Sequence, residues 1–510
     1  MAKRNRYAPI IDLIQAGRVG EATRICTRHY EEDGDSEALF YLGIIALRVG
    51  RFTDGAALLR EADRLMPDRA DIVYNLGVAM RHLGDLDGAI VQWTRAVKIN
   101  AGHRDAWFNL ARAYADTERF AEAEQAYRYI LSANPGDTTT IYNLANTLYR
   151  TRQWAEAANL YRDVLTARPD FVDARINLGL ALQRGGELDA AIREGRTAVE
   201  QAPDSALAHW NLSHCLLMTG RWAEGFSEFE WRRRLQVPPI TISGQPEWTG
   251  FPLKGETVVV YGEQGHGDVL QFLRFAPLIA AAGGIAHVVC HPKLVRLAEK
   301  LDGVASSSAF GAPVPAFSYH VPLLSLPHAL RLDSSDSLPQ PPYLRAYRTP
   351  GVSERKVPSV GIAWRGNPEH ADDTGRSCPL DTFARIFDVD GVDWVSLQFD
   401  GGWEEIKSMA PAVRVRDGTR DCVDFLDTAE VLASLDLVLS VDTAVVHLAG
   451  AMNIPTWVLL ARAPDWRWQD RTNRSPWYPA TTLFRQERDG DWVEVMDAVR
   501  SELRRYAFMP

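Results

Sequence analysis

The stretches YNLG at 74–77, FNLA at 108–111, YNLA at 142–145, INLG at 176–179 and WNLS at 210–213 decide how the first half of this chain folds. Their asparagines, Asn75, Asn109, Asn143, Asn177 and Asn211, stand 34 residues apart, and a small residue follows two positions after each. A second column of small residues, Ala56, Ala89, Ala123, Ala157 and Ala191, recurs with them, and prolines at 67, 135, 169 and 203 stand near the ends of units. Self-similarity at a fixed period of this length predicts stacked helix pairs. Small residues belong where two helices cross closely, and a proline ends a helix because it cannot donate the next backbone hydrogen bond.

The pattern resembles the tetratricopeptide repeat. Five full units run from Ser36 to Ser205, preceded by a divergent unit and followed by another reaching about Arg234. Stacked units of this kind bury a shared core and leave a concave groove. The asparagine column carries two readings. As a ladder along the groove, it pairs amide groups with the backbone of an extended peptide; as ordinary repeat consensus, it serves local hydrogen bonds. The ladder reading resembles O-GlcNAc transferase and makes these five residues acceptor-binding. Tyr41 takes the equivalent place in the first full unit.

Outward from the repeats the period stops. A connector, LQVPPITISGQPEWTG, leads to strand-like runs (ETVVVYG, AHVVCHP) alternating with helical ones (VLQFLRFAPLIAAAG, KLVRLAEKL). A second Pro-rich linker, about 333–358, precedes SVGIAWRG, DWVSLQF, TAEVLASL, DLVLSVD, VVHLAGAM and PTWVLLA, and DWVEVMDAVRSELRRY reads as a closing amphipathic helix. Alternation of this kind predicts parallel sheets with crossover helices, here two doubly wound lobes with a cleft between them. The expected division is 1–235 for the repeats, 236–345 for a first Rossmann-like lobe and 346–510 for a second.

Composition narrows the function. A net charge of −10 and a pI near 5.7 disfavour binding to a phosphate backbone, which depends on clustered Lys and Arg. Five dispersed cysteines, without metal or redox spacing, suit a reducing, cytoplasmic setting. Asp12 interrupts the first apolar stretch too early for a signal peptide, and the run from Ala276 to Cys290 is too short to span a bilayer.

Three segments carry chemistry. After VVVYG the chain turns through Gly262, Gly265 and Gly267, and Asp268 opens a helix at the carboxyl edge of the sheet. A carboxylate there can take the proton of an attacking hydroxyl, or simply cap the helix. The glycines run G-x-x-G-x-G and the next strand ends in His291, which excludes the dinucleotide fingerprint. Asp442, Thr443 and His447 stand where DLVLSVD gives way to a helix, whose free amides form a ready phosphate site. Arg365, Asn367 and Arg376 lie in WRGNPEHADDTGRS, with Asp372 and Asp373 as competing partners for the arginines, and Gln398 ends DWVSLQ. The DxD string from Asp388 to Asp390 is too short to identify a metal site.

GEQGHGDVLQFLRFAPLIA, VGIAWRGNPEHADDTGRS and SVDTAVVHLAGAMNIPTWVLL, in that order, resemble GT-B glycosyltransferases of the heptosyltransferase type, over about 247–486. FEWR (229–232), DWRW (465–468) and SPWYP (475–479) are similar to repeat-fused bacterial members, some of which modify flagellin. This resemblance implies an α/β GT-B fold after an all-α repeat superhelix, Asp268 as base, and no required metal or cofactor beyond a nucleotide-sugar co-substrate. Gly265, His266, Gly267, Arg365, Asn367, Arg376, Gln398, Asp442, Thr443 and His447 would then hold the donor and its phosphates. Two alternatives stay open: extension of a glycan or lipopolysaccharide-type sugar with repeats for assembly only, and a scaffold whose transferase fold is inactive.

Overall fold

The computed structural model describes residues 6–235, 242, 244–346, 357–367, 373–399, 401–409 and 413–507. Much of the connector, much of the second linker, and Asp372 lie outside them. The chain forms two compact units, Met1–Ala181 and Leu182–Pro510.

Fourteen described helices, from Ala8–Gln15 to Trp222–Phe229, build the tetratricopeptide repeats. In the first unit the alanine column is fully buried: Ala56 is 1% exposed, and Ala89, Ala123 and Ala157 are 0%. A side chain on Gly77 would meet the Trp93 indole at 2.5 Å, so the small residue two after each asparagine leaves room for the facing helix. Aspartates 85 and 137 cap their helices by accepting from the amides of Gly88 and Thr140. Ion pairs then stitch one repeat to the next, as between Arg95 and Asp63 and between Arg69 and Glu37.

The second unit carries the last repeats and two all-parallel sheets. Four strands form the first: β1 (Thr257–Tyr261), β2 (Ile285–Cys290), β3 (Val304–Ala309) and β4 (Tyr319–Pro322), in the order β3-β2-β1-β4. Six form the second: β5 (Ser359–Ala363), β6 (Asp393–Ser396), β7 (Val415–Asp417), β8 (Leu437–Val441), β9 (Thr456–Leu460) and β10 (Thr481–Arg485), in the order β10-β9-β8-β5-β6-β7. Both orders wind outward from their first strand and then return to its other side. Ligands bind at such a reversal, outside the carboxyl ends of the strands. Here the reversal lies beside β1 in one sheet and between β5 and β8 in the other, so the loops after β1, β5 and β8 are the ones it presents.

The second sheet is buried on both faces. Val360, Ile362, Leu437, Leu439 and Leu459 pack with the closing helix, Trp492–Ala507. Their alternates Val395, Leu397, Val438, Val458 and Leu460 join the core shared with the first sheet and the last repeat, as the two-residue strand period requires. Within that core FEWR, DWRW and SPWYP converge: Trp466 lies 6.0 Å from both Phe226 and Phe229 and 5.8 Å from Trp477, and Trp222 lies 4.8 Å from Trp477. No helix among the described residues is long and apolar enough to cross a membrane.

Candidate functional site

Two helix starts meet between the sheets. Gly265 precedes the helix His266–Phe272, and Thr443 precedes Ala444–Ala451. A side chain on Gly267 would come within 2.8 Å of His447 Cδ2, so this glycine is what lets the helices touch. Thr443 gives its helix no side-chain cap; its hydroxyl instead pairs with Ser440 Oγ at 3.2 Å. Asp268 is the third helical residue, not the cap. Its Oδ2 accepts from the Gly265 amide at 3.0 Å, and its Oδ1 accepts from Arg467 Nη2.

Arg467, 7% exposed, also donates from Nη1 to Asp465 Oδ1 at 2.8 Å and from Nε to Gln271 Oε1 at 2.5 Å. Asp268 and Asp465 thus share one guanidinium, and Asp442 is close enough to feel both Asp465 and Arg467. Burial raises the pKa of Asp268 against the pull of Arg467, and burial, with Asp465 adding to it, lifts Asp442 to about 6. Arg467 opposes burial at Asp465 and keeps that acid below its ordinary range. His447 is neutral: burial and Arg467 depress its pKa to about 3, while its ring stacks on Trp468 at 5.5 Å and its Nδ1 shares a 3.0 Å hydrogen bond with the Tyr478 hydroxyl. His266 is lowered by burial to about 4, its ring edge-on to His291 at 4.5 Å. The last repeat reaches this cluster through His214, whose Nδ1 bonds the Trp210 carbonyl at 2.8 Å and whose pKa burial lowers and Asp465 raises.

The segments that follow β5 and β6 supply the remaining groups. Gln398 Oε1 accepts from the amides of Trp364 and Arg365 at 3.2 and 3.1 Å, so it ties down the loop after β5. The Arg365 side chain pairs with Glu405 at 2.6 Å, and Arg376 lies 3.7 Å from Asp373 with its buried Nε unbonded. Asn367 is exposed. Asp388 of the DxD string pairs with Arg500 and Arg504 on the closing helix.

In the first unit the asparagine donors are engaged within the array. Asn75 and Asn143 donate to the carbonyls of Asp71 and Thr139 at 2.7 and 2.8 Å, and Asn109 and Asn177 donate to the hydroxyls of Tyr74 and Tyr142 at 3.2 and 3.1 Å. A cleft of about 250 Å³ opens there, lined by Asn146, Tyr149, Arg150, Tyr161, Asn177 and Leu180. In the second unit the Asn211 Nδ2 is buried and unbonded. Arg467, Asp465, Gln271 and His214 escaped the reading of the sequence. Only the DWRW string flagged two of them, and without a role.

A pH dependence follows from the shifts of two groups in this cluster, Asp442 and His447. An acid whose folded pKa exceeds its unfolded value binds its proton more tightly when native, so Asp442 costs stability progressively as pH rises from about 4 to about 6 and fully above that. His447 acts in the opposite sense. Its contribution is complete above pH 6.5 and is lost as pH falls toward 3. Asp442→Asn is therefore expected to gain about 1–3 kcal/mol at pH 8 and nothing at pH 4. Thermal melts at the two pH values check this, and an equal shift at both would refute it.

The fold and site together define a tetratricopeptide-repeat protein joined to a region of two parallel α/β sheets. Tetratricopeptide repeat family descriptions match residues 40–102 and 142–206, and a second matches 84–148. Over 330 residues the chain is 26% identical to Protein FlbA of Caulobacter vibrioides, a match taking in 57% of this chain and 54% of FlbA. The chain thus spans about half the length of that curated relative. A 59-residue stretch is 34% identical to the uncharacterized protein MJ0572 of Methanocaldococcus jannaschii, covering 12% of this chain and 69% of that one. Among solved structures it is similar to YrrB, described as a TPR protein with an unusual peptide-binding site, at 19% identity and a TM-score of 0.34, over 36% of this chain and 95% of YrrB.

Proposed function

We propose that the two-sheet region is a GT-B glycosyltransferase of the heptosyltransferase type, acting on a protein segment recruited by the repeat groove. The observation that supports this most is the junction of the two helix starts at Gly267 and His447, with Asp268, Asp442, Arg467 and Arg376 gathered around it. The amides opening Ala444–Ala451, with Thr443 and Arg376, receive the diphosphate of a nucleotide-sugar, because a helix start and a guanidinium both favour an anion. His447 stays uncharged and packs beneath them. Asp268 accepts the proton of the acceptor hydroxyl as its oxygen bonds to the anomeric carbon, and the nucleotide departs with the electrons of the old bond. With Asp268 acting as a base rather than as a nucleophile, the displacement is inverting.

The groove recruits an extended polypeptide through the tyrosines and asparagines of the cleft around Asn146 and Asn177, and flagellin is the first acceptor to test. Binding of the donor is checked by thermal shift with UDP-, GDP-, ADP- and CMP-sugars. One of them, at about a hundred times its Kd, adds about 2.7 kcal/mol and lifts the melting temperature by about 2–4 °C. If none of the four raises it, the reading fails.

A further inference from the structure

We infer that Arg467 is a positioning residue for Asp268, and that Arg467 and Asp465 together fix the orientation and charge of that carboxylate. The inference rests on the proposed transferase reading and adds to it a pair of residues that no local motif connects to Asp268. Arg467 lies 199 positions from Asp268 in the chain.

The geometry holds the guanidinium on several sides. Asp465 Oδ1 takes both the Arg467 backbone amide, at 3.0 Å, and Nη1, at 2.8 Å, so one carboxylate oxygen locks the turn and the side chain together. Gln271 Oε1 takes Nε, and Gln271 belongs to the same short helix as Asp268, which ties the guanidinium to the element that it serves. The Trp466 ring lies against the cation at 4.4 Å and Phe272 at 5.9 Å. Asp268 is then held at both oxygens, Oδ2 by Gly265 and Oδ1 by Arg467, and each oxygen keeps a second lone pair for an incoming hydroxyl. An arginine stays protonated at working pH and neither gives up nor takes the transferred proton, so its influence on transfer is through charge and placement. Arg467 and Asp465 act in opposite directions on Asp268, the first favouring the carboxylate and the second its acid. The other charged or titratable groups facing this cluster, among them Asp442, His447, Tyr478, Arg376, Arg274 and His214, are left in place by the variants below.

The test is the pH dependence of nucleotide release by the full-length protein, with the UDP-, GDP-, ADP- and CMP-sugar panel as probe. A base must be deprotonated to act, so the rate rises with pH through its pKa. Arg467→Met is expected to move that limb upward by at least one pH unit, slowing release at least tenfold below it. Arg467→Lys should move it less. Asp465→Asn should move it downward, and because this variant leaves the guanidinium in place it decides the matter if Arg467→Met does not fold. Opposite movements establish the pair. A limb that stays where it is in Asp465→Asn and in every folded Arg467 variant, with rates lowered equally at all pH values, makes the pair purely structural and overturns the inference. Asp268→Asn separates the two levels: wild-type release there defeats the assignment of Asp268 itself, whereas loss of release with unmoved limbs defeats only the role of Arg467.

Discussion

Replacing Arg232 with methionine is expected to destabilise the unit 182–510 by about 3–5 kcal/mol, because it leaves a buried charge cluster without its cation. Arg232 is 1% exposed and donates to Glu230 at 2.8 Å and to both Glu263 and Ser325 at 2.7 Å. Ser325 returns a hydroxyl to the second Glu230 oxygen at 2.8 Å. Methionine fills a similar volume, so lost packing contributes little and the unpaired carboxylates account for the effect. Burial already raises the pKa of Glu263 against Arg232, and removing the cation raises it further. A folded pKa above the unfolded one means a cost that grows as pH rises, so the deficit should be smaller at pH 5 than at pH 8. Calorimetry on Arg232→Met at both pH values checks the sign. The exposed Arg64, paired with Glu61 on a repeat helix, is the control, and Arg64→Met should leave the melting temperature unchanged. If the two variants melt alike, the cluster does not hold the FEWR segment to the loop that leads into the helix of Asp268.

Asp268→Asn is expected to lower turnover by about 10²–10⁴, the usual contribution of a positioned proton acceptor. Asparagine keeps an oxygen for the Gly265 amide, so the helix start survives, but it has no charge to set against Arg467 and no site for the proton. The fold should tolerate this well, since burial works against the carboxylate in the first place. Donor binding is assigned to the other helix start, so the thermal shift caused by a nucleotide-sugar should persist. A variant that retains more than a tenth of the wild-type rate would remove Asp268 from the chemistry. One that loses the thermal shift as well would move it from proton transfer to donor binding.

The repeats were legible because their signal is local and redundant. Each alanine of the column from Ala56 to Ala191 sits buried where the period puts it. Six strands were equally plain, since β1, β2, β5, β6, β8 and β9 are short apolar runs bounded by polar or glycine-rich turns. The four that were missed, β3, β4, β7 and β10, are the edges of the two sheets. An edge strand pairs on one side only and carries less of the core. VASSSA at β3 holds three serines, and VRD at β7 is only three residues long, so neither shows an apolar pattern. The run VLQFLRFAPLIAAAG reads as one helix but is broken into His266–Phe272, a tight turn at Leu273–Phe275 and Pro277–Ala281, because Pro277 cannot donate to the preceding turn.

The glycine turn with Asp268 and the Asp442-Thr443-His447 segment were visible because both follow an apolar strand directly, and a strand end in a parallel sheet is where a site can form. What each of those residues touches was not visible. Gln398 closing the loop after β5 and Arg467 bridging Asp268 to Asp465 depend on which loops are brought face to face.

The sequence alone thus determined the helix pairs, the parallel-sheet character of the second half and the two helix starts, since periodicity, glycine placement and strand-to-helix order are properties of short stretches of chain. Only the tertiary structure decided the strand order, the meeting of Gly267 with His447 and the charge balance among Asp268, Asp442, Asp465 and Arg467. Pairing, close approach and burial join residues far apart in the chain, 199 positions for Asp268 and Arg467, and the energy of a charge depends on what surrounds it rather than on its neighbours in the chain.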